Sequence, residues 1–254
     1  MTVNDMLYNG KGVVIKTILL YHEAGFIIIP LGDDRKTPAV PSTKAIYDNP
    51  STPEGLRENK HLFKNIATLL GKTHLKDADG RDLYLNILDI EDKKVYDTLA
   101  ALRVDGRYFL DDMPKTTFVI KTRKKWGLRI YWLSHEQNPP IGTKRCKFGY
   151  KFEIKTDNTL GHSTLPPSRH RDDEHFRYQS IGQEKLAILD GLYHGLLNAL
   201  SDCLRPKKHS SFSKSTCSSS RTSIVSLSDR DIEEVLTFIT PTSHNNGLEL
   251  SPTS

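Results

Sequence analysis

The stretch from Leu83 to Glu91 reads Leu-Tyr-Leu-Asn-Ile-Leu-Asp-Ile-Glu, apolar along most of its length and closed by two carboxylates. It predicts a long strand, and the period of two puts Leu85, Ile87, Asp89 and Glu91 on one face. A chain organised around such a strand brings acidic groups to the edge of its own core. The two carboxylates would lie about 7 Å apart along the strand, a spacing at which one or two divalent cations can be shared. The alternative is an acidic strand end running into a helix N-terminus, where the dipole favours Asp and Glu.

Enough apolar sequence surrounds this strand to bury it. Of 254 residues, 37% are hydrophobic and 26% charged, which excludes wholesale disorder and a disulfide miniprotein. The most apolar segment, Val13 to Leu31, is broken by Lys16, His22, Glu23 and Pro30. It falls short of the roughly 20 apolar residues that a bilayer requires, so no membrane association is expected. No basic region and small-residue cleavage site bracket an apolar segment at the N-terminus, and an intracellular chain is expected. Cys146, Cys203 and Cys217 are too scattered to read as a disulfide framework or a zinc knuckle.

Charge is unevenly distributed. Between Lys121 and Lys151 stand nine Lys or Arg against the single acid Glu136, whereas Asp77 to Asp112 holds ten acids against five bases. A protein that meets phosphates and also holds a divalent cation needs both kinds of surface, although two ordinary solvated faces would look the same.

Hydrophobic spacing predicts a helix over Val13 to Leu20 ending at Ala24-Gly25, then a strand over Phe26 to Pro30. Thr52-Pro53 should start a helix through about His61. A strand over Ile66 to Leu70 should end at Gly71, and a helix over Lys93 to Arg103 should bury Val95, Leu99 and Leu102. Five strands follow, over Thr117–Lys121, Leu128–Leu133, Tyr150–Lys155, Leu160–Leu165 and Phe176–Ser180. A helix over Asp190–Leu204 closes the domain. The expected organisation is one α+β domain over 1–206, a Ser-rich linker over 207–226, and a last segment over 227–254 with one helix before Pro241 and an unstructured end.

Four constellations can carry chemistry. Asp89 and Glu91 come first. Glu153 is a third carboxylate, which either approaches them across the sheet or belongs to a solvent-side ladder with Lys151 and Lys155. In the stretch Lys121 to Trp132, the turn carrying Lys121, Arg123, Lys124 and Lys125 suits a phosphate backbone. Trp126 or Tyr131 could stack on a base, Trp132 belongs to the core, and Arg129 either meets phosphate or is solvated. Finally, Leu165-Pro-Pro-Ser168-Arg169-His170 is a stiff turn presenting a hydroxyl, a guanidinium and an imidazole. The lone His162 in the strand before it reads as structural.

Taken in order from Val13 to Arg205, these pieces resemble the bifunctional primase-polymerase (prim-pol) domain of the archaeo-eukaryotic primase superfamily, especially that of archaeal plasmid and mobile-element replication proteins. Gly25-Phe-Ile-Ile-Ile-Pro-Leu and Arg35-Lys36-Thr-Pro38 are similar to the opening strand and its Lys-Pro turn. Asn65 to Gly71 resembles the lead into motif I, Leu88-Asp89-Ile90-Glu91 the D-x-D/E metal motif, and Glu153-Ile-Lys with the later Pro-Pro-Ser turn motif III. The resemblance departs from the family at Gly127-Leu-Arg129-Ile-Tyr131, where motif II normally has histidine in place of Arg129. There is also no zinc-binding stem, and Leu227 to Thr240 resembles only the truncated start of a C-terminal helical module.

The resemblance implies a primase-polymerase (RRM-like catalytic) fold with mixed sheets flanked by helices. It implies a template-dependent DNA primase/polymerase that joins (d)NTPs on a DNA template with Mg²⁺ or Mn²⁺. Asp89, Glu91 and Glu153 would be both catalytic and metal-binding, and Lys36, Arg129, Ser168, Arg169 and His170 would sit near the nucleotide. Lys121, Arg123, Lys124 and Lys125 would face the template. A replicative helicase acting in trans and a nucleoid-associated place in the cytoplasm go with this reading. Arg129 motivates the alternative of a catalytically weakened homologue that binds single-stranded DNA as an accessory protein. The same carboxylates would also serve a metal nuclease.

Overall fold

The computed structural model describes residues 13–157 and 161–205. Helix α1 (Ile15–Glu23) stops at Gly25, whose φ of 97° is left-handed, and the chain turns into β1 (Ile27–Leu31), buried along its whole length. Two short helices follow, α2 (Thr43–Asp48) and α3 (Pro53–Glu58). Each is capped by a hydroxyl that accepts a backbone N–H, Ser42 from Ala45 and Thr52 from Gly55. Strand β2 (Asn65–Leu69) passes through Leu70 into β3 (Gly71–Lys76), and β4 (Asp82–Ile90) returns antiparallel beside it. Helix α4 (Lys93–Ala101) starts at Asp92, whose carboxylate caps Lys94 N.

A two-stranded hairpin, β5 (Arg103–Val104) and β6 (Arg107–Tyr108), leads to α5 (Phe109–Thr116). Next come β7 (Val119–Lys121), β8 (Leu128–Ser134), β9 (Phe152–Lys155), β10 (Ser163–Thr164), β11 (Arg169–His170), β12 (Asp173–Arg177) and β13 (Gln179–Ser180). Helix α6 (Leu192–Ala199) closes the described part. The class is mixed α+β.

Strand β4 is the hub of the larger sheet, whose order is β13-β7-β8-β4-β3. One edge of β4 pairs with β8 along Tyr84–Ile90; the other pairs with β3 at its start and with β9 over Ile87–Ile90. Alternation along it separates two cores. Leu88 and Ile90 pack with Trp132, Phe152 and Ile154 under α4, α5 and α6. Leu83, Leu85 and Ile87 pack with Tyr131, with Ile18 and Tyr21 of α1, and with Ile28 and Ile66 of a second sheet, β1-β2-β10. The far face of that second sheet is covered by Ile46 and Tyr47 of α2. The two sheets are joined by a buried hydrogen bond of 2.7 Å between the Tyr131 and Ser163 hydroxyls.

Several elements depart from the sequence reading. Strand β3 is polar at Lys72, Thr73, His74 and Lys76 because it lies at the edge of its sheet and needs no apolar alternation. Helix α5 was hidden by its internal Pro114. Of the strand expected over 160–165, Leu160 lies outside the described residues and the remainder reduces to β10; that expected over 176–180 divides at Tyr178, so that β12 pairs with β11 and β13 with β7. The helix expected over 190–204 ends at Ala199 and continues as a short 3₁₀ turn. The linker and the C-terminal segment lie outside the described residues.

Because Tyr131 ties the two sheets together from a fully buried position, Tyr131→Phe should lower the unfolding free energy by about 1 kcal/mol. Urea titration with an unchanged slope checks this.

Candidate active site

The register of three strands gathers the acidic groups. Asp89 lies opposite Arg129 of β8 on one side and opposite Glu153 of β9 on the other. Directly opposed residues in antiparallel pairs share a face with Cβ atoms about 5 Å apart. Glu91 follows β4 and is held against the β9 entrance by its backbone N–H, which donates to Lys151 O at 2.9 Å. Asp89, Glu91 and Glu153 therefore line one recess, together with Thr143 and Lys151.

Each carboxylate is met by a cation. Asp89 Oδ2 accepts from Arg129 Nε at 3.1 Å and lies 3.7 Å from Lys155 Nζ. Lys155 also reaches Glu153 at 3.1 Å, while Thr143 Oγ1 donates to the other oxygen of Glu153 at 2.8 Å. Lys124 Nζ donates to Glu91 at 2.6 Å. The Asp89, Arg129 and Lys155 side chains are only 8%, 13% and 11% exposed, so this part of the network is buried. Burial works against the charge of Arg129, but the Asp89 carboxylate outweighs it and the guanidinium pKa moves upward. Arg129 also donates to Thr164 O at 3.3 Å and lies over the Tyr178 ring. It is neither solvated nor free to meet phosphate while it holds these partners.

With cations interposed, no three His, Cys, Asp or Glu side chains among the described residues converge into a ligand cluster. One atom nevertheless lacks a partner: Asp89 Oδ1 is buried and accepts no hydrogen bond. A buried carboxylate oxygen is costly to leave unmatched, and a hard oxygen donor of this kind suits Mg²⁺ or Mn²⁺. On that observation Asp89 Oδ1 is an open donor of the kind a divalent cation takes.

Above the carboxylates opens a cleft of about 520 Å³, lined by seven Lys or Arg against four Asp or Glu. Arg35 and Lys36 enter it from the turn after β1. There Asp34 accepts the Lys36 and Thr37 backbone N–H groups and the Thr37 hydroxyl, which together draw its carboxyl down to about 2, the hydroxyl contributing most. Arg35 reaches across to His170 O at 3.2 Å. His170 accepts from Asp172 N at Nδ1, which leaves Nε2 to carry the ring proton. Burial first, and then Arg123, lowers its pKa and favours the neutral ring. His162 lines the same cleft and is likewise pushed down by burial.

The residues singled out from the sequence divide into two groups. Asp89, Glu91, Glu153, Lys36, Arg123, Lys124, Arg129 and His170 line the cleft. Ser168 does not: it is fully buried, and its hydroxyl accepts from Ile66 N at 2.8 Å and donates to Ile66 O at 3.1 Å. It latches the Pro-Pro turn onto β2, while Arg169 N donates to Asn65 Oδ1 beside it. Lys121 pairs within the sheet opposite Gln179, and Lys125 lies over the Trp126 ring. Trp126 is half-buried, with Lys93 also over its ring and Tyr96 packed on it, and Tyr131 is fully buried and presents no free face to a base.

Arg35, Thr143 and Lys155 were not assigned roles from the sequence, and His162 was read as structural. Only for Lys155 was there a signal, its place beside Glu153 on an alternating strand.

A family model described as bifunctional DNA primase/polymerase, N-terminal, matches residues 18–190. The chain belongs to the Prim-Pol family. No curated protein matches it. The Prim-Pol match runs from inside α1 to just before α6 and encloses every residue of the cleft. Membership points to a DNA primase/polymerase of the nucleotidyltransferase type, for which DNA and nucleotides are the expected partners. Among the described residues, no helix is long and apolar enough to cross a membrane.

The latch role of Ser168 separates stability from ligand contact. Ser168→Ala should destabilise the Prim-Pol domain by about 1–3 kcal/mol, because both Ile66 backbone groups lose a buried partner. Nucleotide affinity at a temperature where the variant is folded should stay within about twofold; thermal unfolding and equilibrium nucleotide binding read the two effects.

Proposed function

We propose that this chain is a metal-dependent, template-directed nucleotidyltransferase with an RRM-like catalytic core, extending or initiating a strand by joining (d)NTPs on DNA. The observation that carries this reading is the gathering of Asp89, Glu91 and Glu153 by strand register beneath a cation-rich cleft, with Asp89 Oδ1 buried and unmatched. Asp89, Glu91 and Glu153 would hold the cation, which when bound neutralises charge on the attacking and leaving oxygens of an in-line displacement.

The chain's own residues supply the rest. The surplus of cationic side chains in the cleft favours a triphosphate. Arg35, Lys36 and Arg123, with the Nε2–H of His170, are the donors best placed to hold it. Lys155, shared between Asp89 and Glu153, bridges these two carboxylates. A strand's 3′ oxygen attacks the α-phosphorus, forming the new P–O bond as the bond to pyrophosphate breaks. The donors on the outgoing phosphates offset the charge that accumulates there.

A second reading is favoured by one specific contact. Arg129 occupies Asp89 Oδ2, so the carboxylate central to the site is already neutralised by the protein. That suits a weakened Prim-Pol homologue retained for binding single-stranded DNA.

Incorporation assays on primed and unprimed templates with Mg²⁺ or Mn²⁺ test the first reading. The wild type should incorporate, and Asp89→Ala with Glu91→Ala should reduce the rate by about 100-fold or more, as expected when charge-stabilising groups are removed from a reaction centre. Equal activity in the two proteins would refute the site. Arg129→His separates the readings: an inactive wild type whose activity appears on this substitution is the outcome expected of the accessory protein.

A further inference from the structure

The most exposed large hydrophobic side chain among the described residues is Phe148, at 84%, with Leu20 next at 46%. Its backbone is also unusual. Phe148 has φ 53° and ψ 23°, and Gly149 after it has φ 74°. Tyr150 N closes the turn on Lys147 O at 3.1 Å. A turn with positive φ at both central positions favours Gly, Asn or Asp, and a bulky aromatic there is strained. The chain thus holds a ring out in solvent in a conformation that the ring itself disfavours, which is the kind of outlier that points to use.

The surroundings indicate what that use is. Tyr150 meets the ring edge-on, with centroids 6.1 Å apart, and braces it. Lys144, Arg145, Lys147 and Lys151 flank it in sequence, and none of the four is in an ion pair with a carboxylate among the described residues. Two hydrogen bonds fasten this loop to the carboxylate recess at either end, from Thr143 to Glu153 and from Glu91 N to Lys151 O. An isolated ring among unpaired cations is a poor surface for a protein partner, which needs a contiguous apolar patch. It is the usual composition of a site where a base stacks while its backbone follows the charges.

We propose that the 143–151 loop is a platform for single-stranded nucleic acid, with a base stacked on Phe148 and phosphates passing Lys144, Arg145 and Lys147. The inference rests on the nucleotidyltransferase reading only in taking the strand to be the one delivered to Asp89, Glu91 and Glu153.

The test is binding of a fluorescently labelled oligothymidylate to the full chain at several salt concentrations, without metal or nucleotide, so that its outcome is independent of catalysis. Phe148→Ala should weaken binding about 5- to 100-fold with an unchanged salt slope, because stacking releases no counterions. Phe148→Trp should restore affinity and Phe148→Leu should not. Lys144→Ala with Lys147→Ala should instead shallow the slope by about 0.7 per lost contact. Phe148→Gly should melt at a higher temperature than the wild type while binding as weakly as Phe148→Ala, which excludes misfolding as the cause. Wild-type affinity in Phe148→Ala, rescue by Phe148→Leu, or no binding by the wild type would each overturn the platform. So would self-association that is lost in Phe148→Ala while oligonucleotide affinity is kept, since that would give the ring to a second copy of the chain. A protein that shows the stacking signature but incorporates nothing refutes the proposed activity and leaves the platform standing; one that incorporates without dependence on residue 148 does the reverse.

Discussion

A carboxylate placed inside a sheet has to be compensated by its neighbours, and the structure is arranged around that requirement at Asp89. The side chain sits near the end of a largely buried strand, β4, where little of it reaches water. Arg129 from β8 and Lys155 from β9 supply charge from the two flanking strands. Net stabilisation from such a network is small, because desolvating several charges offsets most of their attraction. Removing one member is costly, since about 3–5 kcal/mol is typical when a buried charge is left without its partner. The network therefore acts less as a source of stability than as a constraint on register: a one-residue slip of β8 or β9 would turn Arg129 or Glu153 into the opposite core.

The second sheet follows from the same constraint. Arg129 donates to Thr164 O of β10 and Tyr131 bonds Ser163 beside it, so Arg129, which compensates Asp89, and Tyr131, two residues further along β8, also anchor β10. The Pro-Pro turn after β10 is in turn latched to β2 by Ser168. The cleft is lined from both sheets, by Asp89, Arg129 and Lys155 of one and Thr164 of the other. Its lining comes from well-separated places in the chain, among them the turn after β1, the 122–124 turn, the 161–164 stretch and the β11–β12 hairpin. Cationic side chains outnumber the acidic ones along the cleft, which favours the approach of an anionic substrate to a site that also carries carboxylates.

Local pattern determined a good deal about this protein. Alternation along Leu83–Glu91 was enough to put Asp89 on the face of Leu85 and Ile87 and to separate it from Leu88 and Ile90, since strand geometry leaves one answer. Thr52-Pro53 was enough to start α3, and Gly25 to end α1, because capping and positive φ are properties of single residues. The order of the motif-like segments was sufficient to suggest the family that the comparison supports over residues 18–190. Elements without a local signal were not legible. Edge strand β3 needs no apolar pattern, and α5 contains the residue that most argues against a helix.

Partnership was decided only by the tertiary structure. Nothing in the sequence says that Arg129 spends its charge on Asp89, that Ser168 is consumed by Ile66, or that Trp126 lies beneath Lys93, because each partner is tens of residues away. The same holds for Thr143 and Glu153, which a loop brings together, and for Phe148, whose strain and exposure exist only once the 143–151 loop is closed. Sequence determines which faces and turns a segment can form, since these depend on neighbours within a few residues. Which charges meet, and which hydroxyls are left to bind a ligand, depends on register and sheet packing and is decided when the whole chain has folded.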